Sequence, residues 1–129
     1  MKIRHRFLVI MIVLACLFHP TGAAQQNIVT KVVAIARSKS YTGRPCPLNV
    51  DFLATIFVSR PAKVEYRWER SDGTVGPREF VDIRGSGKGV TTTWRVGSPR
   101  RSFSVGERLR VLAPNAAASD WATVKIKCN

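Results

Sequence analysis

Residues 48–58 read Leu-Asn-Val-Asp-Phe-Leu-Ala-Thr-Ile-Phe-Val, and every second one is apolar: Leu48, Val50, Phe52, Ala54, Ile56 and Val58. Strict alternation over that length is the period of a half-buried β-strand, whose successive side chains point to opposite faces. The same period continues beyond it. In residues 63–70, Val64, Tyr66 and Trp68 share one face while Glu65, Arg67 and Glu69 share the other. Val90, Thr92, Trp94 and Val96 align inward in residues 90–96. Leu109, Val111 and Ala113 do so in residues 107–113, with Arg108, Arg110 and Leu112 outward, and Ala122, Val124, Ile126 and Cys128 do so in residues 121–128.

Turn chemistry separates these runs: Ser59-Arg60-Pro61, Ser71-Asp72-Gly73, the glycine-rich 85–89 and Pro114-Asn115. With a Val- and Ile-rich run at 28–37 and a short run at 79–84, the sequence predicts seven strands, leaving 38–47 and 98–105 as loops. No stretch has the 3.6-residue period of a helix, and no repeat or linker divides the chain. The composition agrees: 45% hydrophobic residues in a chain of 129 are enough for one packed domain, which excludes a disordered basic tail and a multidomain enzyme.

The N-terminus reads as a leader. Residues 1–6 are cationic, residues 7–18 are an uninterrupted apolar run, and His19-Pro20 precedes the small residues Thr21 to Ala24. This is the pattern of a secretory signal peptide cut after Ala23 or Ala24, and 12 apolar residues fall short of the roughly 20 that span a bilayer, so no transmembrane anchor is expected after cleavage. The expected division is therefore a leader at 1–24 and a domain at 25–129, secreted or periplasmic. Val13-Leu14-Ala15-Cys16 has the outline of a lipoprotein box, which makes a lipid anchor through Cys16 the lesser alternative.

Two cysteines then remain, Cys46 and Cys128, and an even pair in an exported chain predicts a disulfide. Seven short strands over about 100 residues suit an immunoglobulin-like antiparallel β-sandwich. In that arrangement the start of the second strand and the end of the seventh lie at the same end of the molecule, which is where the two cysteines fall.

Particular residues carry a resemblance as well. Tyr41-Thr42-Gly43 with Cys46-Pro47, Tyr66-Arg67-Trp68-Glu69-Arg70-Ser71-Asp72-Gly73, Thr91-Thr92-Thr93-Trp94, and Arg110-Val111-Leu112-Ala113-Pro114-Asn115 with Cys128 resemble small immunoglobulin-like domains of bacterial secreted and cell-surface proteins, from Ser40 to the end of the chain. The resemblance implies a binding or spacer module without a shared active site. The chain departs from antibody-type domains, since no cysteine lies on the sixth strand to form the inter-sheet bridge beside Trp68.

Catalytic constellations are scarce. Both histidines, His5 and His19, lie in the leader, so the domain has no histidine base, zinc ligand or nucleophile partner. Glu65 and Glu69 lie four strand residues, about 13 Å, apart, too far for the roughly 5 to 9.5 Å of a glycosidase pair. Lys88 is followed by Gly89 and a strand, so 85–89 is a hairpin turn and not a phosphate loop. Asp72 and Asp82 lack the spacing of a calcium loop. No catalytic residue, metal site or cofactor is expected.

Charge is what remains. Removing Lys2, Arg4 and Arg6 with the leader leaves 18 of the 21 basic residues against 8 acidic ones, a net +10. If strands three, six and seven are sheet neighbours, their outward residues form one basic face: Arg67, Arg108, Arg110, Lys125 and Lys127, with Trp121 at its edge and Arg100 and Arg101 extending it. Such a face suits an acidic protein or an anionic polysaccharide or other envelope polymer, with nucleic acid less favoured. The competing reading is a solvated face whose cations guard the edge and pair with Glu65, Glu69 and Glu107. Two other functions fit the same composition: a small cationic effector, toxin or inhibitor acting on membrane or nucleic acid, and a structural subunit of a larger envelope assembly.

Overall fold

The computed structural model describes residues 27–129; the expected leader and Cys16 lie outside the described residues. Among the described residues there are nine strands: β1 (Val29–Ala36), β2 (Ser40–Arg44), β3 (Leu48–Val58), β4 (Ala62–Arg70), β5 (Glu79–Ile83), β6 (Gly87–Val96), β7 (Ser102–Ala113), β8 (Ala117–Ala118) and β9 (Ala122–Cys128). They form two sheets, one in the order β1-β3-β6 and one in the order β2-β9-β7-β4-β5, with β8 paired to β7. The architecture is an immunoglobulin-like β-sandwich.

The alternation that predicts the strands also fills the space between the sheets. Val50, Phe52 and Ile56 of β3 meet Val64 of β4, Leu109 and Val111 of β7 and Val124 of β9, all at most 1% exposed. Each such burial contributes about 1.5–3 kcal/mol before conformational entropy is counted. Trp68 and Tyr66 join this core, whereas Trp94 is only partly buried because β6 has a neighbour on one side alone.

Two expected loops contain strand. Residues 40–44 pair with β9 in parallel, Ser40 opposite Lys125 and Thr42 opposite Lys127, so the sandwich is not wholly antiparallel. The chain reaches this place by leaving β1 in one sheet and entering the other. Its polar sequence, Ser-Tyr-Thr-Gly-Arg, carries no alternation because only Tyr41 is partly buried. Likewise β7 begins at Ser102, five residues before the alternation becomes legible, with Ser102–Glu107 laddered onto β9.

Cys46 and Cys128 form the expected disulfide, with Cα atoms 5.6 Å apart across 82 residues. Closing so long a loop removes about 4–5 kcal/mol of unfolded-chain freedom in the chain-entropy picture. Gly97, at φ 104°, lies beneath the bridge, where a Cβ would come within 2.9 Å of the Cys46 Sγ. The opposite end is tied by Asn115, whose side chain accepts from the backbone N–H groups of Ile28 and Val29 and donates to the Val29 carbonyl, at 3.0, 2.8 and 3.1 Å.

Candidate cationic binding face

Strands β4, β7 and β9 are sheet neighbours, so the predicted outward residues do share one face, in two separated groups. The first lies across β4 and β7, where Arg67 is directly opposite Arg110 and Glu69 opposite Arg108. Like charges facing each other across a ladder repel, and Glu69 compensates. It accepts from Arg110 Nε and, at 3.1 Å, from an Arg108 terminal nitrogen. These bonds, that from Arg110 foremost, hold the Glu69 carboxyl below its ordinary range against the opposing effect of burial. Trp121 lies beside them with its ring over Gly106, and the Arg108 guanidinium stacks 4.6 Å from the ring centroid. Glu65 is engaged by Arg78 at 3.4 Å. Arg67 makes no ion pair among the described residues, and its Nε is buried without a partner.

The second group lies about four strand residues, roughly 13 Å, farther along, since Ser104 rather than Arg108 is opposite Lys125. Here the β7–β9–β2 ladder presents Ser102 and Ser104, then Lys127 and Lys125, then Thr42 and Ser40. Thr42, Ser102, Ser104, Lys125 and Lys127 line a shallow groove with Tyr41 and Phe103. Four more cationic residues are tied by backbone bonds to β9 and to Asn129, which follows it. The Lys39 and Arg101 carbonyls accept from Lys125 and Cys128, the Arg44 carbonyl accepts from Asn129, and the Arg100 N–H donates to the Asn129 carbonyl. Lys39, Arg44, Arg100, Arg101, Lys125 and Lys127 are all exposed, and none makes an ion pair among the described residues. No acidic residue occurs in 27–50, 100–106 or 121–129.

Arg100 also adopts φ 62°, a left-handed conformation that costs a non-glycine residue about 1–2 kcal/mol. Sequence reasoning identifies Arg100, Arg101, Lys125 and Lys127 but misses Lys39, Arg44 and the hydroxyls, because the parallel strand β2 that delivers two of those cations has no periodic signal.

Glu107 is a correction. Grouped with Glu65 and Glu69 as a counter-charge on the outer face, it instead points between the sheets and is fully buried. The inward phase of Leu109 and Val111 extends back to residue 107, and the even phase of Val64, Tyr66 and Trp68 extends forward to Arg70, so the two meet inside as ladder partners. Arg70 Nε donates to Glu107 at 2.7 Å while its guanidinium stacks 4.8 Å from the Trp94 ring centroid on the other sheet. Burial pushes the Glu107 carboxyl above its ordinary range, with Arg70 opposing the shift.

Comparison with solved structures bears on the fold. The chain is similar to the CARDB domain of the PF1109 protein from Pyrococcus furiosus, solved in complex with di-metal ions, with a TM-score of 0.54 and 11% identity over 81% of this chain and 99% of that one. It also overlaps a β-glucosidase from Listeria innocua solved with glucose, with a TM-score of 0.48 and 12% identity over 75% of this chain and 16% of the enzyme. The first match shows the shared immunoglobulin-like fold. No protein-family model matches the sequence, and no curated protein matches it. Among the described residues no group of three His, Cys, Asp or Glu side chains is placed to hold a metal ion, and no helix is long and apolar enough to cross a membrane.

Proposed function

We propose that this domain is an exported, non-enzymatic binding module that captures an anionic polymer of the bacterial envelope on the cationic flank of β2, β9 and β7. The observation that carries the reading is a groove lined by Lys125, Lys127, Thr42, Ser102 and Ser104, on a flank where Lys39, Arg44, Arg100 and Arg101 are exposed and tied by backbone bonds to β9 and Asn129, with no acidic residue in these segments. Ammonium and guanidinium groups supply charge, and hydroxyls supply short-range hydrogen bonds to phosphate, sulfate or carboxylate oxygens. Arg67, Arg108, Arg110 and Trp121 extend the face, but with Glu69 shared between two of these arginines they add less free charge. The disulfide is the kind of bond that oxidising compartments sustain, in keeping with export.

The test is retention of residues 25–129 on lipopolysaccharide, lipoteichoic acid, polygalacturonate and DNA at 20 and 150 mM salt. Binding to one envelope polymer that falls steeply with salt supports the reading, because neutralising a polyanion releases its counterions. Lys125→Glu with Lys127→Glu should abolish that retention and leave melting unchanged. Equal retention by this variant refutes the face. Preferential binding to an acidic protein or to DNA replaces the polymer with that ligand.

A further inference from the structure

Four strands end the two sheets, and three of them are blunted against pairing with another chain. β1 shifts register between Val29 and Lys31, β2 has five residues, a register shift after Thr42 and Pro45 behind it, and β5 has five residues. β6 has none of these devices. Its ten residues, Gly87–Val96, pair with β3 at ten successive positions without a shift, contain no proline and leave the other side of the backbone unpaired. A long, straight, open edge is a template for another strand, and folded proteins ordinarily bulge, shorten or cover it. Thr92 and Trp94, inward by phase, also stay partly exposed on this flank.

We propose that β6 is a dimer edge, along which a second copy of this chain pairs antiparallel with Thr92 opposite Thr92. A two-fold axis normal to the sheet keeps inward residues opposite inward residues, so a symmetric pairing is centred on a residue and not between two. Lys88 and Arg95 differ in parity and so fall on opposite faces, where no symmetric register brings them together. Centring on Thr92 sets Thr91 opposite Thr93 on the outer face, Val90 opposite Trp94 on the inner face, Gly89 opposite Arg95 and Lys88 opposite Val96. Three threonine pairs, one central and two flanking it, and two aromatic–aliphatic pairs are favourable cross-strand combinations. Centring on Thr91 instead sets Lys88 against Trp94 and Val90 against Thr92, losing the apolar pairs. The Thr92 register joins two three-stranded sheets into one of six strands and covers Thr92 and Trp94 of both copies. A second copy is the occupant chosen because the Thr92 register sets no two charged side chains opposite each other and matches threonine with threonine and Val90 with Trp94, and the pairing does not depend on the polymer-binding reading.

The experiment is analytical ultracentrifugation of residues 25–129 from 1 μM to 1 mM, at 50 and 500 mM salt. A monomer–dimer equilibrium is expected, tighter at high salt because each copy carries like charge. Thr91→Lys with Thr93→Lys sets lysine opposite lysine at both outer-face pairs, and dimerisation should weaken. Thr91→Glu with Thr93→Lys sets opposite charges at the same pairs and keeps a lysine beside Asp51, which now accepts from the Thr93 hydroxyl at 2.6 Å. Its dimer should be about tenfold tighter than that of the double lysine variant. Near-UV circular dichroism checks that both remain folded, and single substitutions Thr91→Lys and Thr93→Lys replace any double variant that does not. A monomer throughout the concentration range overturns the proposal, as does equal dimerisation by folded lysine–lysine and glutamate–lysine variants.

Discussion

Removing Arg70 should harm this domain more than neutralising Glu107, although the two residues form one ion pair. The asymmetry follows from where each charge goes when its partner is lost. Glu107 is fully buried, and its Oε2 already lacks a hydrogen-bond partner. Arg70 keeps a third of its side chain in solvent and retains the Trp94 ring as a stacking surface. Arg70→Met therefore leaves an uncompensated buried carboxylate, which costs about 3–5 kcal/mol. Glu107→Gln leaves a cation that can turn outward, and about 1.5–3 kcal/mol is expected, the scale of one hydrogen bond to a charged group.

Urea unfolding measures both. With a slope of about 2 kcal/mol per molar and a difference of about 2 kcal/mol between the two losses, the Arg70→Met midpoint should lie about 1 M below that of Glu107→Gln at pH 7. The pH dependence is a second check. Burial raises the Glu107 carboxyl, and Arg70 is the influence holding it down. A carboxyl whose folded pKa lies above its unfolded one binds more protons when folded, so stability falls as pH rises through that interval and recovers as pH is lowered. In Arg70→Met the interval widens, and the deficit should shrink between pH 7 and pH 5. Equal losses in the two variants, or a deficit independent of pH, would refute the buried-pair reasoning.

Four further outcomes follow from the same structure. Glu69→Gln should cost about 1–2 kcal/mol at pH 7 while freeing Arg108 and Arg110 to strengthen polymer retention; because its folded carboxyl is lowered, the Glu69 contribution is lost as pH falls through its folded range, so the gap between the melting of wild type and variant should narrow as the solution is acidified. Cys46→Ser with Cys128→Ser should lower stability by about 2–5 kcal/mol in urea titrations without changing the strand content seen by far-UV circular dichroism. Gly97→Ala, which brings a methyl against that bridge at a positive φ, should cost more than about 1 kcal/mol in the same titration. Arg100→Gly relieves a left-handed backbone and should change stability by less than about 1 kcal/mol while weakening polymer retention.

The sandwich was legible in the sequence wherever one face of a strand is buried and the other wet. β3 has Val50, Phe52, Ala54, Ile56 and Val58 buried, and β9 has Ala122, Val124, Ile126 and Cys128 buried, each at every second position. Where that condition fails, the signal vanishes. β2 lies at an edge with four of five residues exposed, and at Val105–Glu107 three consecutive residues are buried, since Trp121 covers the outer side of Gly106. Glu107 shows the cost of reading chemistry before phase: its charge suggests the surface, but two residues of alternation from Leu109 assign it to the interior. The cationic residues on β9 were readable because their outward phase is fixed by the core residues between them, whereas Lys39 and Arg44 depend on a parallel pairing far away in sequence.

The two proposed surfaces should respond oppositely to ionic strength. Polymer capture on the flank of β2, β9 and β7, as proposed, would draw on unpaired cations and so weaken as salt screens them. Pairing along β6 brings like-charged copies together through backbone bonds and neutral side chains, so the same screening should strengthen it. A dimer presents two cationic flanks to one polymer, and the second engagement is then intramolecular, at an effective concentration that reaches the millimolar range when the spacing fits. Apparent affinity for a long chain should therefore rise above that of the monomeric double lysine variant at positions 91 and 93, whereas affinity for a fragment too short to reach both flanks should not. A long polymer bound equally by dimer and monomer would show that the two surfaces act independently, since a shared avidity requires both flanks on one strand.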